Sequence, residues 1–368
     1  MSNDAVYVSV ETMRNFTKDV FTHLGVPAAD ADICADVLIA SDLRGIESHG
    51  IGRLKMYYDR IKSGQQEAVT NFEIVRESPT TAVVDGNHGM GMVVAKRAMQ
   101  LAINKAKSYG MGSVAVRNST HFGIDGYYAR MAIEAGMIGM SFTNARPTIA
   151  PTFGVQPMLG TNPIAFGCPT DEECPFLFDA ATSIIQRGKV EVHDREGKPV
   201  PPGLVIGTEG QSLTDAPQIL ADLGKDRAAL LPLGGIGEEF GGHKGYGLAT
   251  IVEILGASLQ TGAFLKDLLG VDKEGNKTHF KVGHFFMAMN IENFVDLDQF
   301  KKTTGDILRQ LRESTKAPGH DRIYTANEKE FENEKAIRSK GIPIIPRLQQ
   351  NIKIIQKELE LNQYQFPF

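Results

Sequence analysis

What this chain lacks narrows its function before any motif is read. No run of about 18 consecutive apolar residues occurs, so nothing in it reads as a membrane span. Its first residues, MSNDAVYVSVETM, lack the basic stretch followed by an apolar run that marks a secretory leader. A cytoplasmic protein is expected. Cysteine is scarce: Cys34, Cys168 and Cys174 are too few and too unevenly spaced for a disulfide framework or a zinc knuckle, which fits free thiols in a reducing compartment. There is no excess of positive charge either. The 39 basic and 44 acidic residues are mixed along the chain and leave a formal net charge of −5, so no basic stripe is available to neutralise a nucleic-acid backbone. No G-x-G-x-x-G fingerprint and no Walker loop is present, and GNHGMG at Gly86 to Gly91 has its glycines in the wrong order for a dinucleotide turn. With no H-E-x-x-H and no paired C-x-x-C among nine scattered histidines, no metal site is expected.

What is present is enough apolar residue, 42% of 368, for one large core or two or three domains. The first sixty residues read as three helices. Ser9 is placed as an N-cap before Met13, Phe16, Val20 and Leu24 at helical spacing; Pro27 opens a second helix that Gly45 closes; Leu54, Tyr57, Tyr58 and Ile61 mark a third before Gly64. After Ser78 short β-branched runs alternate with helical stretches, the pattern of a mixed α/β or α+β domain. The tail from Lys335 reads as a proline-broken connector and a last amphipathic helix. Apolar residues at both ends, Met13, Phe16 and Ile352 to Ile355, are expected on exposed helix faces that need a partner, which suggests a homodimer.

Several polar constellations could carry chemistry. In RGIESHGIGRL, Ser48 is positioned to cap the third helix, with His49 at its mouth and Arg53 one turn on, a set suited to a carboxylate. A helix cap plus a surface arginine would look the same. In VAVRNSTHFGIDGYY, His121 follows a strand; Ser119 and Thr120 could fix its ring, and Gly123 and Gly126 could leave room for a ligand. An imidazole there suits proton transfer to or from a hydroxyl near neutral pH. Two more strand ends, at Thr143 and Asn144 and at Asp179 through Ser183, collect polar groups, though such residues also form ordinary turns. The glycine-rich stretch from Gly234 to Gly247 opens a helix whose N-terminus, with Lys244, could hold a phosphate.

Taken in order, DLRGIESHG, VDGNHGMG, AVRNSTHFG, TNARP, LGTNPIAFG, FDAATS, RGK, LLPLGG and GGHKGYGLA resemble the type-2 malate/L-lactate dehydrogenases, whose relatives include ureidoglycolate, sulfolactate and diketogulonate oxidoreductases. The resemblance spans about Val10 to Pro343. It implies an α+β fold with a non-Rossmann, mixed or mostly antiparallel sheet flanked by helices, a separate helical part, and a dimer. With the element pattern it divides the chain into an N-terminal helical part over 1–75, an NAD(P)-binding and catalytic part over 76–315, and a C-terminal segment over 316–368 that packs back on the helices. By similarity His121 is the general acid/base, and His49, Ser48 and Arg53 belong to the substrate pocket. Thr143, Asn144, Asp179, Ala180, Ala181, Thr182, Ser183, Lys244 and the PGH at Pro318, Gly319 and His320 lie near the cofactor. Some relatives are described with the match of His49 as the proton donor, which leaves two candidates for that role.

The expected reaction interconverts a 2-hydroxy acid and a 2-oxo acid with NAD or NADP, L-malate first, then L-lactate or sulfolactate. Asp194 would suit a ribose hydroxyl, and Arg195 or Lys189 a 2′-phosphate, so the two cofactors stay open. Reduction of a cyclic imine carboxylate is a rival with the same hydride geometry. A metal-dependent hydrolase with His49, His121 and Asp179 as ligands is the rival of another class.

Overall fold

The computed structural model describes residues 5–368. It opens with a short strand, β1 (Val6–Val8), and three helices, α1 (Val10–His23), α2 (Ala28–Leu43) and α3 (Leu54–Lys62), the last entered through a 3₁₀ turn at Ile51–Arg53. Ser9 caps α1, its hydroxyl accepting from the Thr12 amide at 3.1 Å. Then follow β2 (Glu73–Glu77), β3 (Thr81–Asp85), α4 (Gly91–Tyr109), β4 (Met111–Ser119), α5 (Gly126–Glu134), β5 (Met137–Thr143), β6 (Ile164–Cys168) and β7 (Phe176–Ala180). A small lobe comes next, α6 (Arg187–Arg195), β8 (Val205–Gly207), α7 (Ala216–Leu223) and β9 (Ala228–Leu230). The chain continues through α8 (Gly242–Ala257), β10 (Val282–Asn290), α9 (Leu297–Glu313), α10 (Glu328–Lys340), β11 (Ile342–Ile344) and α11 (Pro346–Glu358).

Seven strands form one sheet in the order β2-β3-β4-β10-β5-β6-β7, in which only β3 and β4 run parallel. This is an α+β arrangement, a mixed sheet flanked by helices. On one face α4 packs Ala95, Met99 and Ile103 against Val84, Val114, Val116, Phe286 and Ala288, while Ala129 of α5 meets Ala165 and Leu177. On the other, α8 presses so closely on β10 that a Cβ at Gly283 would stand 1.7 Å from the Gly256 carbonyl oxygen. Only glycine fits there.

The N-terminal helices have their own core, in which Met13, Phe16, Val20, Leu38 and Tyr57 pack with Ile342, Ile344, Ile352 and Ile355 from the far end of the chain. Two expectations change here. The proline-broken connector is partly a strand: Ile344 stands opposite Val6 and Pro343 opposite Tyr7 in a two-stranded antiparallel ladder, a setting that tolerates proline; the residues just before it belong to α10. And most of the apolar residues expected on exposed faces are covered by one another, Met13 and Phe16 being 0% and Ile352 and Ile355 1% exposed, while Ile354 between them stays 44% exposed. Among the described residues, no helix is long and apolar enough to cross a membrane.

Candidate active site

At one end of the sheet β4 delivers His121. Thr120, just before it, locks the turn to the start of α4, donating to the Gly89 carbonyl and accepting from the Gly91 amide, each at 2.9 Å. The His121 ring is half-buried and is held through Nδ1, which lies 2.5 Å from the Tyr57 hydroxyl and accepts from the Gly123 amide at 3.4 Å. Ser119 and Thr120 therefore do not fix the ring as expected; Tyr57 on α3 does. Nor do the glycines leave room for a ligand, since a Cβ at Gly123 would strike Val37 at 2.5 Å and one at Gly126 would meet the Asp179 carboxylate at 3.0 Å. Burial, then the charges of His49, Arg60 and Arg53, hold the His121 imidazolium well below the usual range, so the ring is neutral.

His49 faces it. The two imidazoles are nearly parallel, 5.5 Å between centroids and 20° between planes. Ser48 does not cap the third helix: its hydroxyl lies 2.8 Å from His49 Nδ1 instead. The cap is Asp42 of α2, whose Oδ2 accepts from the Ile51 amide at 2.7 Å. Gly50 lies on that carboxyl with no space for a Cβ, which would come within 1.9 Å of Oδ1. Burial pushes Asp42 up to about 8 and His49 down to about 4, Arg53 adding to the latter. Arg53 donates from Nε to the Ser48 carbonyl at 2.5 Å, closing the loop on itself.

Below the two histidines is a third. His284 of β10 is fully buried, stacked on Phe122 at 4.4 Å, with Nε2 2.8 Å from the Ser119 hydroxyl and Nδ1 2.7 Å from that of Thr143. Burial drives it down to about 3, so it bridges β4 and β5 as a neutral ring. Thr143 and Asn144 are thus turned inward. Asn144 accepts from the Gly283 amide at 2.8 Å and donates to the Ala263 carbonyl at 3.2 Å.

The remaining candidates divide. Asp179 is exposed at the end of β7 and accepts from the Gly126 amide at 2.7 Å; Ala180 and Ala181 follow it, half-buried. Thr182 donates to the Thr161 and Asn162 carbonyls, both at 3.1 Å, and Leu233 bonds to its carbonyl at 2.8 Å. Ser183 is therefore held beside the chain that leads into the glycine-rich loop and α8, and its buried hydroxyl has no partner. The N-terminus of α8 has no side-chain cap, and exposed Lys244 lies in its first turn. An unsatisfied hydroxyl, free helix amides and a lysine fit the diphosphate of a nicotinamide dinucleotide. Pro318, Gly319 and His320 are not brought to this group. They occupy an exposed loop whose two ends are held by Arg312 and Arg322, both on Glu328. Arg312 also grips Glu172 in the β6–β7 turn, at the end of the sheet opposite Ala180. Among the described residues no three His, Cys, Asp or Glu side chains stand together as a metal site would need.

Sequence reasoning missed Tyr57, Asp42 and His284. Tyr57 carried a signal, being one helical turn from Arg53 on the same face, and His284 is the lone polar side chain in the strand VGHFFMAM.

Residues 8–353 match the family model of malate/L-lactate dehydrogenases. The chain is 44% identical to the malate dehydrogenase of Pyrococcus horikoshii over 97% of both chains, and 38% identical to the L-sulfolactate dehydrogenase of Methanocaldococcus jannaschii over 96% of this chain and 97% of that one. Among solved structures, malate dehydrogenase from Entamoeba histolytica superposes with a TM-score of 0.94 at 44% identity, covering 99% of this chain and 100% of that one.

Proposed function

The chain belongs to the malate/L-lactate dehydrogenase family and is a 2-hydroxy acid dehydrogenase that works with a nicotinamide cofactor, and from that premise we propose that it interconverts L-malate and oxaloacetate, His121 moving the hydroxyl proton. The observation that carries this reading is the pair of neutral, parallel imidazoles with Arg53 beside them. The nicotinamide, when bound, accepts or supplies the hydride at C2 of the acid. Arg53 and the loop from Ser48 hold the neighbouring carboxylate, and His49 orients it.

Tyr57 allows the His121 ring its two states. Its hydroxyl can donate to Nδ1, or it can accept from Nδ1–H and turn its own hydrogen to the His121 carbonyl, 3.4 Å away. The second arrangement gives up the long contact from the Gly123 amide to Nδ1 and leaves Nε2 free to take the substrate proton. In the reverse direction Nε2–H returns it to the carbonyl oxygen. Substrate anions oppose the arginine charges that depress His121, so the ring becomes more basic when the site is filled.

Cofactor binding falls to Ser183, Lys244 and the α8 N-terminus, with Asp179 to Thr182 lining the strand end and Thr143 and Asn144 setting its floor from below. The cofactor sits on a sheet without a Rossmann fingerprint. The domain division follows the sequence reading: helices over 1–75, cofactor and catalysis over 76–315, and a closing segment over 316–368. We place the protein in the cytoplasm as a homodimer. Its contact surface is the outer face of α8, where Leu248, Ile251 and Ile254 are 39%, 50% and 52% exposed beside Leu259 and Phe264. Rising NADH or NADPH emission on titration, followed by rates on a 2-oxo acid panel, tests the reading; faster reduction of pyruvate than of oxaloacetate would displace malate. Light scattering that gives a monomer at micromolar concentration would remove the dimer.

A further inference from the structure

Arg53 stands at the mouth of α3 and Arg60 seven residues on within it, which at about 1.5 Å per residue separates their backbones by about 10 Å along the axis. Tyr57 lies between them on the same face, and its hydroxyl reaches His121. The ring that handles the hydroxyl proton therefore faces the middle of a line with a guanidinium at each end. Arg60 is half-buried and stacks on the Phe280 ring, 4.0 Å from its centroid, which fixes the plane of the guanidinium and leaves its N–H edges unused. Arg146 stands two residues beyond Asn144 at the end of β5, near enough for its charge to act on Arg60. Among the described residues no carboxylate pairs with Arg53, Arg60 or Arg146. Three guanidiniums close enough to feel one another's charge, with no carboxylate among them, form a cationic patch that suits an incoming anion.

We propose that Arg60, assisted by Arg146, holds the second anionic group of the substrate and sets the preference for dianionic over monoanionic 2-oxo acids. This rests on the malate reading above. The C2 oxygen of such an acid lies between its two anionic ends, as His121 lies between Arg53 and Arg60. A monocarboxylate occupies only the Arg53 end and leaves Arg60 uncompensated.

The test is the ratio of kcat/KM for oxaloacetate to that for pyruvate, with saturating reduced cofactor, in wild type, Arg60→Gln, Arg60→Lys and Arg146→Gln. Succinate, which has both carboxylates and no carbonyl to reduce, is the inhibitor. A charge-assisted hydrogen-bonded pair predicts a ratio about 100-fold lower in Arg60→Gln, partly restored in Arg60→Lys, and about tenfold lower in Arg146→Gln, with succinate inhibition weakening in the same order. If Arg60→Gln fails to fold, Arg60→Lys and Arg146→Gln carry the same comparison. A ratio and a succinate constant within threefold of wild type in the Arg60 variants overturn the proposal. Failure of the malate reading looks different: wild type prefers pyruvate, while loss of Arg60 still weakens succinate.

Discussion

The Tyr57 hydroxyl and His121 Nδ1 lie 2.5 Å apart although 64 residues separate them in the chain. The contact joins the helical part to the sheet at the atom that decides which ring nitrogen is free. Tyr57→Phe should fold, because the ring packs as before, and should lower kcat by about tenfold with little change in KM. The acid limb of kcat/KM against pH should shift, since Nδ1–H loses its acceptor. A wild-type kcat and pH profile in the variant would reduce Tyr57 to a packing residue.

His121→Asn should retain cofactor binding and lose ~10²–10⁴ in kcat, the usual share of a positioned acid/base. In His49→Asn the loss should fall mainly on KM for the 2-oxo acid. Steady-state kinetics in both directions decide the assignment. A near wild-type rate in His121→Asn with collapse in His49→Asn would exchange the two roles.

Asp42 caps the substrate loop while largely protonated near neutrality. Asp42→Asn keeps an acceptor for the Ile51 amide and should leave KM within about threefold, whereas Asp42→Ala frees the loop and should raise it by about tenfold or more. The pH dependence has a definite sign. A carboxyl raised to about 8 contributes stability that is full below its unfolded value and is lost as pH rises through 8. Relative to Asp42→Asn, wild type should lose roughly 1.4 kcal/mol per pH unit between about pH 4 and 8. Urea unfolding of both proteins across that range would show a constant difference if Asp42 is ionised throughout.

For His284 the sign is opposite. Its folded value of about 3 lies below the unfolded one, so its contribution is full above about pH 6.5 and declines as pH falls. His284→Gln should be destabilised near pH 7.5 by the loss of the ring that joins Ser119 to Thr143, and the gap to wild type should narrow toward pH 5. Thermal melts at the two pH values measure it; a gap that widens in acid would mean that the ring is charged in the fold.

The helices and the long strands were legible because each buries one face, and burial writes a period of 3.6 or 2 into the chain. β1 and β11 carried no such mark. They have three residues each and pair across nearly the whole sequence, so neither half signals the other. In the site, His49, His121 and Arg53 could be found by residue type and setting. Ser48 was misassigned as a cap because a serine before a helix is a usual acceptor of that bond, while the true cap, Asp42, sits inside the previous helix. Tyr57 reads as core because it is core: its ring is 0% exposed and only the hydroxyl takes part in chemistry.

The pairing of β1 with β11, reinforced by the Tyr364 hydroxyl on Asp19 at 2.7 Å, sets an order of events during synthesis. All seven strands of the large sheet have been translated by Asn290, but the core under α1 to α3 lacks Ile342, Ile344, Ile352 and Ile355 until the last stretch is made. At about 5–20 residues per second the first helices wait roughly 15–60 seconds with that part of their core unfilled. A chain stalled on the ribosome after β10 would hold every strand of the large sheet and every residue of the acid pocket, yet the helix that carries Arg53 and Tyr57 would rest on a core still open on one side.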